Sequence, residues 1–202
     1  VPVDQPAASS LPVGELPAHQ AMRRQRIVDA ARSLLEEQEY EQIQIRDVAA
    51  TAGVALGTLY RYFSSKDHLY AAVLLAWGAG FTKPGGRRKA DTDPWRRLQT
   101  RIRGALAAFE KRPQFFRLLM LLLGSNDPNA NAVMDQFREF LENTVQADLA
   151  ELDPEGAQDY SVLIWAVMNS VLTRSIFHER PMAEARRIND RFLDLLRLRY
   201  GH

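Results

Sequence analysis

Apolar residues in this chain recur three and four positions apart, the period of an amphipathic helix, and no stretch alternates long enough to read as a strand. The spacing predicts a first helix from about Ala18 to Glu39, with Ile27, Ala31, Leu34 and Leu35 on one face. A short second helix, Ile45 to Ala52, puts Ile45, Val48, Ala49 and Ala52 on one side, and Gly53 stops it. A third, Ala55 to Tyr62, follows at once. A fourth opens at Ser64, where Ser64 and Asp67 have the spacing of a capping box, and continues to about Phe81. Beyond a Gly-, Pro- and Arg-rich loop, Lys83 to Thr92, Asp93–Pro94 is a cap followed by proline at the first helical position. The fifth helix carries Trp95, Leu98, Ile102, Leu106 and Phe109 on one stripe. Pro113 separates it from a short apolar helix, Gln114 to Leu123. Asp127–Pro128 and Asp153–Pro154 repeat the cap-plus-proline device and open the next two, and Pro181 opens the last, which ends near Tyr200. The fold class is all-α, with about nine helices.

Composition narrows the class. At 202 residues the chain is one domain, or a small one docked on a larger one. With 46% hydrophobic and 25% charged residues most of it folds, except Val1 to Pro17, which holds four of the ten prolines and no apolar period and reads as a disordered arm. The absence of cysteine excludes a disulfide scaffold, a Cys-ligated zinc site and thiol catalysis. A net charge of +1 gives no global signal for a polyanion, so any such signal is local. The longest apolar runs, Leu118 to Leu123 and Val162 to Met168, fall far short of the ~20 residues that span a membrane. The expectation is a cytoplasmic protein without a membrane partner.

An enzyme is the rival class, and the sequence offers it little. His19, His68, His178 and His202 are scattered, none at metal-ligand spacing, and no P-loop, GxGxxG or GxSxG is present. Pro84-Gly85-Gly86-Arg87 alone is a weak anion nest, and Asp148, Glu151, Asp153 and Glu155 are explained by capping and solvation. No cofactor, metal or catalytic residue is expected. The alternative reading is an all-helical small-molecule-binding protein or enzyme without DNA binding.

The informative segment is Gln44 to Leu69, QIRDVAATAGVALGTLYRYFSSKDHL: helix, tight turn, helix. Leu59 and Phe63 lie four apart and turn inward, so Gly57, Thr58 and Arg61 point away, with Tyr60 and Tyr62 on the flanks. A helix-interior glycine costs ~1 kcal/mol relative to alanine. A short helix carries one where something must approach its backbone closely, as the floor of a DNA major groove does. The surrounding donors, Thr58, Tyr60, Tyr62, Arg61, Lys66 and Arg46, suit phosphates and base edges. Arg46 either reads a base or pairs with a carboxylate; Arg23, Arg24 and Arg26 either track phosphates or are solvated. Lys66, near a helix start, opposes the helix dipole, which a phosphate partner would answer.

Through DVAATAGVALGTLYRYF and SSKDHL the chain resembles the TetR/AcrR family of transcriptional repressors, over about Ala21 to Tyr70. The resemblance implies a homodimer that binds a double-stranded DNA operator, with a helix-turn-helix head (18–63) and an effector-binding and dimerisation domain (64–202). It also implies that Leu56, Gly57 and Thr58 lie near base edges, Tyr60, Tyr62 and Lys66 on phosphates, and Arg46 in a base-reading position. Two departures stand out: Ala55 replaces the usual hydroxyl residue that caps the third helix, and Gln44 the threonine that often opens the second. The variant GVALGTLYRYFSSKDHL is similar to actinobacterial repressors of lipid and steroid catabolism, which implies a small hydrophobic or amphipathic effector such as an acyl- or steroid-CoA ester.

The second half supplies surface for both tasks. VLIWAVMNSVL, Val162 to Leu172, is apolar all round: Ile164, Val167 and Val171 form one face, and Val162, Trp165, Ala166, Leu172 and Ile176 the opposite one. Such a helix must be covered on both sides, most simply by a twin subunit. Val162, Trp165, Ala166 and Thr173, with Ile188, Phe192 and Leu195 of the last helix, are the dimer candidates. Pocket candidates are Phe81, Phe109, Phe116, Met120, Phe137, Met168 and Asn169; Asn169 and Thr173 either orient a ligand or bond across the dimer. Eight basic residues between Lys83 and Arg103 form either a solvated face or a rest for an anionic head group.

Overall fold

The backbone turns where the small and capping residues say it should. The computed structural model describes residues 17–81 and 93–200, and among these residues there are nine α-helices and no strand. They are α1 (Ala18–Glu37), α2 (Ile45–Thr51), α3 (Leu56–Tyr62), α4 (Lys66–Gly78), α5 (Pro94–Lys111), α6 (Pro113–Leu122), α7 (Pro128–Ala150), α8 (Ala157–Ile176) and α9 (Met182–Tyr200). Short 3₁₀ turns follow α1 (Tyr40–Gln42) and α4 (Ala79–Phe81). The expected arm, the Lys83–Thr92 loop with its anion nest, and the side chain of Phe81 lie outside the described residues.

Several boundaries differ from expectation, among them the end of α4, which stops at Gly78 and passes into the 3₁₀ turn Ala79–Phe81. The first helix stops at Glu37, and the chain enters the 3₁₀ turn that brings Tyr40 against α4. The cap of α4 is Ser65, whose hydroxyl accepts from the His68 amide at 3.0 Å, so Ser64 and Asp67 make no capping box. Asp67 instead accepts from the hydroxyls of Tyr40 and Ser125, both at 2.5 Å. Asp153–Pro154 makes a turn, with Asp153 accepting from the Gly156 amide at 3.2 Å, and α8 starts beyond it at Ala157. Asp93 and Asp127 cap α5 and α7 as predicted, each with proline next.

Helix α4 is the axle. Nine of its residues are buried, because α1 packs on one side of it, α6 on another and α7 along its length. Gly78 permits the closest part of that contact, since a Cβ there would run into the ring of Phe137. Above this seam Trp77 stacks on Phe115 (centroids 4.4 Å, 17°), and Phe109 and Phe116 pack edge-on behind them. Helices α5 to α9 close around this aromatic core, with α8 and α9 forming an outer antiparallel pair.

Candidate DNA-reading helix and effector cavity

The turn between α2 and α3 is fixed by one backbone requirement. Gly53 sits at φ +65°, in the left-handed region, and ends α2 in a Schellman arrangement: its amide bonds the Ala50 carbonyl at 3.1 Å, and the Val54 amide bonds Ala49 at 3.0 Å. The chain therefore reverses in two residues, and α3 begins at once. Leu59 and Phe63, both fully buried, hold it down. The opposite side is open: Gly57 and Arg61 are exposed, Leu56 is 42% and Tyr60 47% exposed, and Thr58 and Tyr62 are half-buried. Leu56, expected near base edges, faces solvent. A Cβ built on Gly57 meets nothing within 4 Å, so no packing inside the molecule calls for glycine there. Ala55 offers no side-chain cap to the first α3 amides.

The cations around this helix are not equivalent. Arg46 extends into solvent, its Nε 3.6 Å from Asp47. Arg24 lies over the Phe63 ring at 4.9 Å, and burial lowers the pKa of its guanidinium. Lys66 donates to the Tyr40 carbonyl and sits 4.0 Å from the centre of the Tyr40 ring. Burial lowers its pKa, against the pull of Glu41 and Asp67. The dipole problem at this helix start is thus met from within the molecule, leaving part of the ammonium free for an outside acceptor.

Three residues after α3, the head is fastened to the body. The Asp127 carboxylate caps α7 with one oxygen, accepting from the amides of Asn129 (2.8 Å) and Ala130 (3.3 Å). Its other oxygen accepts from the hydroxyls of Ser65 and Ser64. Burial would raise the pKa of this carboxyl, but the four donors outweigh burial and hold it below the usual aspartate value. One carboxylate thus joins the caps of α4 and α7. Beside it His68, 6% exposed, accepts the Ser64 amide on Nδ1 at 3.2 Å, which requires a neutral ring. Burial, then the Arg24 charge, lowers its pKa, opposed by Asp127.

Helix α7 leads from that joint to a cavity of about 220 Å³ enclosed by α5, α6, α7 and α8. Of the residues expected there, Phe137 and Met168 line it. Phe109 and Phe116 do not: they are 3% and 0% exposed and belong to the aromatic core. Met120 is half-buried against that core, and Asn169 lies off the wall with its Oδ1 buried and without a hydrogen-bond partner. Sequence spacing missed Leu141 and Thr144 as wall residues, since their role depends on how α7 crosses its neighbours. Trp165, expected at a dimer interface, also lines the cavity.

The expectation of two apolar faces on α8 is met in part. Ile164, Met168, Val171 and Leu172 are buried inside the subunit, so Leu172 belongs to the inner face. Val162 (50%) and Leu163 (47%) remain exposed, as does Ala166. Thr173, Ile188 and Phe192 are half-buried, and Leu195 on α9 is 65% exposed. Of the basic stretch, the described arginines Arg96, Arg97, Arg101 and Arg103 each pair with a carboxylate.

A tight helix-turn-helix head on an all-helical body is the architecture of a DNA-binding transcriptional regulator. Residues 27–73 match the model of the tetR family of bacterial regulatory proteins. The chain is 31% identical over 149 residues to the HTH-type transcriptional repressor KstR of Rhodococcus jostii, covering 73% of this chain and 70% of the relative. It is 30% identical over 139 residues to KstR of Mycobacterium tuberculosis, covering 67% and 62%. A crystal structure of a TetR transcriptional regulator from Rhodococcus sp. RHA1 superposes with a TM-score of 0.72 at 26% identity, over 91% of this chain and 99% of that one. FadR of Bacillus subtilis, solved in complex with stearoyl-CoA, shares the fold at a TM-score of 0.64 and 18% identity, over 82% and 95%. The chain belongs to the TetR family, in its KstR-like group, and is a DNA-binding transcriptional repressor rather than an enzyme. No helix among the described residues is long and apolar enough to cross a membrane.

Proposed function

We propose that the chain acts in the cytoplasm as a homodimer that grips a palindromic operator and lets go when a small, largely apolar effector fills the α5–α8 cavity. The observation that carries the DNA half is Gly57: an exposed helix glycine with open space around its Cβ position, on the one face of α3 that the core leaves bare. In this reading α3 enters the major groove with Leu56, Gly57 and Thr58 at base edges. Tyr60 and Tyr62 bond phosphates, Lys66 adds a phosphate contact from its seat on Tyr40, and Arg46 reads a base from α2. The exposed Val162, Leu163, Ala166 and Leu195 support a dimer through α8 and α9, since apolar side chains on a helix already packed on its other side call for a partner. Two such heads spaced at one turn of DNA, ~34–36 Å, match a two-fold operator.

An acyl- or steroid-CoA ester is the effector we favour, supported by the apolar wall, by kinship with KstR and by stearoyl-CoA in a protein of the same fold. The ligand acts through α7: a shift of that helix moves Asp127, and with it the cap of α4 and the head. It weakens DNA binding only as far as it favours a spacing the operator does not match, and DNA then weakens the ligand by the same factor. The test is to incubate the purified chain with fragments of its own genome at low salt, sequence what is retained, and challenge the complexes with long-chain acyl-CoA and steroid-CoA esters. Enrichment of a palindrome and its release are expected; retention of no fragment even in dilute buffer overturns the proposal.

A further inference from the structure

The charged group that DNA binding leaves unused is Asp148. It is 4% exposed on α7 and is held by the Nε of Arg97 (2.9 Å) and the Nε of Arg101 (3.1 Å), both from α5. A buried carboxylate between two partly exposed guanidiniums, 24% and 31%, loses more hydration than an apolar contact between the same helices would. What the cluster supplies is orientation. With its Nε committed to Asp148, Arg101 has no hydrogen-bond partner for its two terminal nitrogens among the described residues, and Arg101 forms part of the cavity wall.

Several other polar groups of the wall are already committed. Thr144 donates its hydroxyl proton to the Phe140 carbonyl, and Ser161 to the Gln158 carbonyl, both at 2.7 Å. Arg138 is bound to Asp135 at 2.6 Å. The ionisable wall residues, Arg101, Arg138, Asp135 and Glu142, sum to zero formal charge, and the charge of Arg101 is itself already paired with Asp148. The wall on α7 runs from Asn131 to Val145, about 21 Å at ~1.5 Å per residue, which suits a long molecule.

We infer that Arg101, steadied by Asp148, anchors a neutral carbonyl oxygen, so that the cavity takes an elongated apolar ligand carrying a ketone, ester or thioester group. This rests on the reading of the cavity as the effector site. Arg101 is the binding residue, and Asp148 positions it.

The test uses the methionine methyls. Of five methionines, Met134 and Met168 line the cavity, while Met22, Met120 and Met182 serve as controls. The full chain, labelled with ¹³C-methyl methionine, is titrated with 2-undecanone, decanoate and 1-undecene. All three probes are expected to move Met134 and Met168. Decanoate binds no more tightly than the ketone. Arg101→Met weakens 2-undecanone at least tenfold and leaves 1-undecene unchanged; Asp148→Asn gives a smaller loss of the same kind. In the wild type, which needs no variant to fold, the ¹³C-labelled carbonyl stretch of bound 2-undecanone lies below its frequency in hexane. An unshifted carbonyl, equal ketone affinity in Arg101→Met, or tighter binding of decanoate overturns the anchor while leaving the cavity as a ligand site. If no probe moves Met134 or Met168, the effector-site reading fails with it.

Discussion

The head and the body are built to opposite specifications. In the head, α3 is seven residues long, pinned by Leu59 and Phe63, and shows solvent the residues that carry its chemistry. In the body, α4 is buried on nearly every side, and the interesting polar groups, Asp148, Asn189 and Ser161, are the ones water does not reach. A surface meant for a large rigid partner must be presented outward and held still. A site for a small apolar guest must be enclosed, with few polar atoms, each already oriented. The two meet at one carboxylate, Asp127, which caps α7 and holds the serines of the α4 cap.

This contrast can be broken most forcefully in the body. Phe115→Ala removes a fully buried ring stacked on Trp77, and is expected to lower unfolding free energy by about 3–5 kcal/mol in urea melts, while the folded fraction keeps its operator affinity. The head answers in reverse. Gly57→Ala fills open space in a helix, so the protein gains about 1 kcal/mol of stability, yet operator binding in gel-shift titrations falls tenfold or more. Equal or better binding would remove the close-approach argument.

At the joint, Asp127→Ala loses a helix cap and two serine partners. It is expected to cost about 1–2 kcal/mol and to speed hydrogen exchange at the first amides of both α4 and α7. Acceleration confined to α7 would show that the carboxylate does not couple the two.

Acidity probes the same place through His68. Its pKa is lowered in the fold, so the unfolded chain binds the extra proton first. Stability should therefore decline as pH drops below ~6.5 and stop declining for this group once the folded value is passed. His68→Gln flattens that limb of the thermal-melt profile; an unchanged slope would remove the group from account. The smallest effect expected is that of Lys66→Ala. It should reduce the slope of log affinity against log salt by about one, equally on operator and random DNA. An unchanged slope with a lower melting temperature would assign the ammonium wholly to Tyr40.

The helices, the α2–α3 turn and the outward face of α3 are legible in the order of residues alone, because each obeys local rules. Gly53 allows a left-handed residue, Asp93 and Asp127 cap α5 and α7, and the spacing of Leu59 and Phe63 leaves Gly57 only one way to point. The features out of reach depend on how distant helices cross. Phe109, Phe137 and Trp165 look alike in a helical stripe, yet the first is core and the other two are cavity wall. Asp67 and Ser64 have capping spacing, yet tertiary partners claimed both side chains and left the cap to Ser65. Asp148 reads as one more solvated acid until α5 brings two guanidiniums against it. Local sequence sets which way a helix faces. Only the packing of helices far apart in the chain decides what it faces, because burial and charge pairing are properties of the space between elements.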